Sequence, residues 1–197
     1  MKRIPFLVFA ALVLMAGCKK DSTETPSAQA AVGSTVGATV NGKTTSFVIT
    51  ASSGADIVGT ISYGTTIINN VQGKMTTTGV DDYVYSNGDK SKPFKLVNYD
   101  DNVGTTWSYN IGNQKVVRTV TFKSTTDDTF VPALGLIIKI IEVTEVIPSG
   151  ISVLGKPSNA KQIVWRFNHK FGFVGATVTL NNNEQTVVPL QTTNVKY

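Results

Sequence analysis

Side chains that ionise, ligate or attack are few in this chain and widely spaced. Its 197 residues include one cysteine, Cys18, and one histidine, His169. A single cysteine excludes an intrachain disulfide, and two such ligands are too few for a His/Cys zinc cluster. His169 sits between Asn168 and Lys170 in a turn-like stretch, which reads as a surface imidazole. The serines lie in Thr/Ser/Gly loops with no nucleophile elbow, so a serine–histidine triad has no framework. Carboxylates arrive in pairs: Asp81-Asp82, Asp100-Asp101, Asp127-Asp128, and Glu142 with Glu145. A glycosidase requires two carboxylates facing each other across a cleft, which these would reach only through tertiary folding. Asp100-Asp101-Asn102 and Asn87-Gly88-Asp89 offer oxygen ligands to a hard cation, but neither follows EF-hand spacing. Solvated loops are the expected setting for the pairs, and neither a metal nor another cofactor is expected.

The aromatic residues carry more pattern. Tyr83 and Tyr85, Trp107 and Tyr109, and Trp165 and Phe167 are i,i+2 pairs, so on strands each pair shares a face. Core packing is the ordinary role for such rings. The alternative is an aromatic groove for a sugar, peptide or lipid, which needs a concavity with polar neighbours. Arg118 or Arg166 would then orient an anionic group, or would simply line a wetter face.

The elements that position these residues begin with an export signal. Lys2 and Arg3 precede an uncharged apolar run from Ile4 to Ala16, then Gly17 and Cys18. As a helix this run reaches only about 20 Å, short of a hydrocarbon core of about 30 Å. Leu14-Met15-Ala16-Gly17-Cys18 resembles the lipobox of bacterial lipoproteins, with Leu14, Ala16 and Gly17 as the signal-peptidase recognition residues. The resemblance implies diacylglycerol on the Cys18 thiol, cleavage after Gly17 and acylation of the new amine. Two or three acyl chains hold a protein stably on a membrane. The partners implied are that membrane and the export and lipoprotein-processing machinery. Lys19 stands after Cys18 where an inner-membrane retention signal has Asp, so the resemblance favours the outer membrane of the cell envelope.

Lys2 and Arg3 leave with the signal, so 18 basic residues fall to 16 against 13 acidic, a net +3. No dense Lys/Arg cluster alternates with aromatics, which argues against a nucleic-acid partner. Lys19 to Ala38 has no aromatic residue and little apolar bulk, and reads as a flexible tether. The organisation expected is a signal peptide over 1–17, a lipidated cysteine and tether over 18–38, and a β-rich domain over 39–197. The alternative is a subdivision of that domain near residue 90.

From Thr39 onward the pattern is β. Asn41-Gly42 and Asn87-Gly88 are hairpin signals. Val116, Arg118, Val120 and Phe122 alternate with Val117, Thr119, Thr121 and Lys123, as in a sheet with one covered face. Leu136 to Ile147 is the longest β-branched run, in which Ile141 and Val143 share a parity. No long helical period appears. The fold class is all-β and antiparallel, built as a curved sheet or half-barrel, or as a β-sandwich.

Val103-Gly104 with Trp107, followed by Trp165 and then Gly172 with Val174, resembles a pattern in exported lipoproteins of the Bacteroidetes type. The likeness covers about Lys95 to Val188, and Phe171 departs from the small residue usual at that turn. Those proteins have no settled activity and look like relatives of curved-sheet, lipoprotein-carrier-like domains, which offer a hydrophobic concavity. The function expected is therefore a non-enzymatic, membrane-tethered lipoprotein that binds or scaffolds an envelope or extracellular ligand. The alternatives are a carrier or chaperone for lipid or another hydrophobic ligand, and a glycan hydrolase using paired carboxylates. If Cys18 is the attachment point, metabolic labelling with a fatty acid will tag the wild-type protein and leave Cys18→Ser unlabelled. Equal labelling of both would remove Cys18 from that role.

Overall fold

The computed structural model describes residues 24–197 other than 155. The expected signal, Cys18 and the first part of the tether lie outside the described residues. After a single 3-10 turn at Ala28–Ala30, the strands are β1 (Thr35–Val40), β2 (Lys43–Ser53), β3 (Asp56–Tyr63), β4 (Thr66–Met75), β5 (Gly79–Asp82) and β6 (Phe94–Asn98). Then follow β7 (Thr106–Ile111), β8 (Gln114–Lys123), β9 (Thr129–Val131), β10 (Leu136–Ile138) and β11 (Ile141–Val146). The last are β12 (Ser152–Val153), β13 (Lys156–Pro157), β14 (Ala160–Asn168), β15 (Gly172–Leu180), β16 (Gln185–Pro189) and β17 (Thr192–Thr193).

The strands form an all-β fold with a curved, half-barrel-like antiparallel sheet arrangement. One seven-stranded sheet runs β17-β1-β2-β3-β4-β5-β6, and a six-stranded sheet runs β16-β15-β14-β11-β8-β7. Each is built on a meander, with β9-β10 and β12-β13 as excursions and β17 returning from the second sheet to pair with β1. The chain passes between the sheets twice. At one seam the Trp107 indole N–H donates to the Lys95 carbonyl, joining β7 to β6. At the other, Leu190 N–H donates to Val174 and Gln191 N–H to Gly37, so adjacent residues bond to different sheets. The principal core draws Ile49, Ile57, Val80 and Leu96 from the first sheet and Val120, Ile141, Val143 and Phe167 from the second. Gly59 is needed at this packing, because a Cβ there would collide with the Phe47 ring.

The Asn41-Gly42 hairpin forms as its sequence dictates. Both residues have positive φ, 50° and 72°, the condition for the turn that matches strand twist. Other expectations change. The fold begins before residue 39: Gln29 and Ala30 are buried, and β1 starts at Thr35. The Ser27 N–H donates to Met75 and an isolated bridge joins Pro26 to Thr76, which holds this segment on the first sheet. Gln29 then reaches the second sheet. Its Oε1 accepts from Phe173 N at 2.9 Å, and its Nε2 donates to the Phe173 carbonyl at 3.1 Å. The amide thus mimics a neighbouring strand, and the segment becomes a strap across both sheets. Gly172, at φ +70°, leaves the space that Gln29 fills.

The Leu136–Ile147 run is two strands in different sheets. It breaks at Lys139-Ile140, whose N–H groups donate to Asp127 Oδ1 and Ser124 Oγ instead of a ladder. A register shift between Glu142 and Val143 in the β8–β11 pairing accompanies a change of face at Phe122, which is exposed while Val116, Arg118 and Val120 are buried. Tyr83 and Tyr85 are not on a strand. The chain leaves β5 at Asp82, whose Oδ1 accepts from Val84 N, and Gly88 N–H closes a turn on Tyr83. Replacing Gln29 by Ala leaves both Phe173 backbone groups without this partner and is expected to lower stability by about 2 kcal/mol. Urea unfolding of wild type and variant checks this; coincident midpoints would show that the strap contributes nothing.

Candidate functional site

The two sheets do not fill the space between them. They leave a half-open chamber of about 630 Å³, bordered by residues from both. This falls within the roughly 300–1,000 Å³ of ligand pockets. Its walls are mainly aliphatic and aromatic: Val36, Ile49, Ile57, Val71 and Leu96 on one side, Ile163, Trp165, Phe167, Phe173 and Val178 on the other. The pattern follows from the period of two, which turns alternate residues of each strand inward. Ile61, Ile68, Ile163, Trp165 and Val178 border the chamber yet stay half-buried, so water reaches this part of the apolar wall. The β14 run from Ala160 to Arg166 has no fully buried residue.

One polar cluster interrupts the apolar wall. Arg118 and Glu145 are each 1% exposed, and both border the chamber. Arg118 Nε donates to Glu145 Oε2 at 3.0 Å, and Nη2 donates to Asp82 Oδ2 at 2.6 Å. Nη1 donates to the Phe94 and Lys95 carbonyls at 3.1 and 2.9 Å. The guanidinium carbon lies 3.9 Å from the Phe94 ring centroid, close enough for a cation–π contact. Glu145 Oε1 accepts from the Tyr85 hydroxyl, and Oε2 also accepts from Trp165 Nε1 at 2.8 Å. Two carboxylates and one guanidinium carry a formal charge of −1 when both carboxylates are ionised.

Burial shifts these groups. It raises the Asp82 pKa above the ordinary carboxylate value, and the opposing attraction of Arg118 does not cancel it. Burial alone would lower the Arg118 pKa, but attraction to Asp82 and Glu145 raises it overall. The Tyr85 phenol is pushed up by burial and by the adjacent Glu145 carboxylate. Ionising Tyr85 would place another negative charge beside Glu145, so the phenol stays a donor.

The expected aromatic wall is split. Trp165, Phe167 and Tyr85 border the chamber. Trp165 and Phe167 both pack edge-on against Phe173, at 6.3 and 6.0 Å between centroids. Tyr109 instead packs on Phe94 and Tyr85, and Trp107 lies under Lys95 with its N–H on a backbone carbonyl. Tyr83 is buried away from its expected pair-mate, because the turn after Asp82 removes the strand geometry that would align them. Of the two arginines, Arg118 is inside; Arg166 pairs with Glu142 and donates to Thr177, with its side chain about a quarter exposed. The solvated setting expected for the carboxylates fails for Asp82 and Glu145. Asp82 and Glu145 meet only through Arg118, while Asp100, Asp127 and Asp128 lie in exposed loops. Among the described residues no group of three or more His, Cys, Asp and Glu is placed to hold a metal ion.

Glu145 was within reach of the sequence, since it shares parity with Ile141 and Val143, and Arg118 likewise follows Val116 and Val120. Gln29 had no such signal. Compared with known proteins, the chain matches no family model, and no curated protein or solved structure is significantly similar to it.

Because the folded Asp82 carboxyl has a raised pKa, its stabilising contribution is complete below the unfolded value of about 3.9 and is lost as pH rises through the folded value. Wild-type protein is therefore expected to lose stability relative to Asp82→Asn as pH rises from 4 to 8. Denaturant midpoints across that range test the sign, and a wild type that gains stability relative to Asp82→Asn with rising pH would contradict it.

Proposed function

We propose that this protein is a lipid-anchored envelope lipoprotein that binds and carries a hydrophobic ligand between its two sheets. The single observation behind this reading is the apolar chamber of about 630 Å³ whose wall is partly open to water. A domain that only scaffolded other proteins would gain stability by filling such a space. Apolar surface left uncovered forfeits about 25 cal/mol per Å², and voids in ordinary cores are few and small. Trp165 at the chamber wall gives a ligand an aromatic surface, with its indole N–H fixed by Glu145.

The anchor complements the chamber. Lipid on Cys18 and a strap that begins its contacts at Glu24 leave six residue steps between bilayer and fold. Glu24 pairs with Lys74, and the Thr25 carbonyl accepts from Thr77 N–H. Fully extended, six steps reach only about 20 Å. The domain would work close to the membrane, where hydrophobic cargo is found, and not at the far end of a long tether. The hydrolase alternative is weaker, because Asp82 and Glu145 are both engaged by Arg118.

Two measurements test the reading. Protein purified from its native envelope, extracted with organic solvent, is expected to release a hydrophobic molecule detectable by mass spectrometry. An uncharged naphthylamine dye is expected to bind the emptied protein with enhanced fluorescence. Val178→Trp, which adds bulk to the half-buried wall, should reduce dye binding at least tenfold without unfolding the protein. Undiminished binding by a folded Val178→Trp variant would place the dye elsewhere and count against the chamber.

A further inference from the structure

The chemistry of the chamber also selects among hydrophobic ligands by the charge at their polar end. We infer that the ligand is a cationic amphiphile, an apolar tail carrying an amine or related positive group, which seats its charge beside Glu145 and Asp82. This inference rests on the proposal that the chamber takes a hydrophobic ligand.

The donor and acceptor balance of the polar cluster carries the argument. A guanidinium has five N–H donors, and Arg118 commits four: one to Glu145, one to Asp82 and two to the Phe94 and Lys95 carbonyls. An anionic head arriving here would find almost no free donor and would lie beside the Glu145 and Asp82 carboxyl groups. Acceptors, in contrast, are in surplus. Each carboxylate offers about four lone-pair sites. Asp82 uses two, for Arg118 and Val84 N–H, and Glu145 uses three, for Tyr85, Arg118 and Trp165. A positive group would bring the missing donors and favour the ionised form of Asp82 that burial opposes.

Other charged groups do not reverse this balance. Asp81 borders the chamber but is in register with Lys74 on one side and Lys95 on the other, and both lysines attract it. Those lysines are themselves ion-paired with Glu24 and Asp101, and Asp81 brings no positive charge to the cluster. Arg166 is paired with Glu142 and does not border the chamber. A cation at this cluster therefore acts where the walls are apolar and screening is weak.

The test uses the full chain and three ligands with the same dodecyl tail: dodecylamine, dodecanol and dodecanoate. Each competes with the uncharged naphthylamine dye at neutral pH, below its aggregation threshold. The amine is expected to compete at least about tenfold more effectively than the carboxylate, with the alcohol between them, well within what one unit charge supplies at close range. Glu145→Gln, which keeps the side chain's shape, should narrow that ratio to about threefold or less; Asp82→Asn serves if that variant does not fold. Equal affinity for amine and carboxylate, or a preference for the carboxylate, would overturn the charge inference while leaving a hydrophobic chamber. An unchanged ratio in both folded variants would overturn the assignment to this cluster. Failure of the dye and all three ligands to bind would overturn the chamber proposal itself, and this inference with it.

Discussion

Arg118 sets the constraint on which this fold turns, because a buried guanidinium must be satisfied where it lies. Its partners come from both sheets: Glu145 from β11, Asp82 from β5, and two carbonyls from β6. The same interactions that neutralise the charge therefore fix the spacing of the two sheets along this seam. Losing one partner of such a buried pair typically costs about 3–5 kcal/mol, although an apolar replacement of the whole group can be neutral or stabilising. The network specifies one arrangement of the sheets more than it adds net stability. Near it the sheets are tightly joined, as they are again at Leu190-Gln191; the chamber wall stays half-buried at Ile61, Ile68 and Val178.

The opposite end of the chamber is governed by a neutral group. Gln29 satisfies both backbone groups of Phe173, while residues just before it bond to the end of β4 and the stretch beyond. The distance from Phe173, opposite Phe167 and Ile141, to the Glu145 row is four residues along β11, or about 13 Å. The chamber thus lies between a charged cluster and an amide strap. The division suits an amphiphile: apolar length in the middle, and polar recognition confined to one place.

Much of this was legible in the residues. The period of two from Val116 to Val120 marks a buried face, and it includes Arg118. Asn41-Gly42 dictates its hairpin because both positions accept positive φ. What was not legible depends on contacts between residues distant in sequence. The face of Phe122 differs from its parity because of an irregularity opposite Glu142 and Val143, on another strand. The Leu136–Ile147 run divides because Ser124 and Asp127 capture two of its N–H groups. Gln29 lies in a polar, Ala-rich stretch, and its role arises only once Phe173 is brought beside it, 144 residues later. The aromatic pairs identified useful rings, but strand spacing alone could not assign them to a common wall. Trp165 and Phe167 face the chamber, whereas Tyr109 and Trp107 close the other seam.

The central claim, that the space between the sheets receives a hydrophobic ligand, is most directly tested by locating one there. A crystal of the protein grown with a long-chain alkylamine brominated at the tail end would mark the ligand by anomalous scattering. The account predicts a bromine peak between the sheets among Ile57, Val71 and Phe167, with the amine directed toward Glu145. Bromine found only on the outer surface, with the chamber holding ordered water, would contradict it.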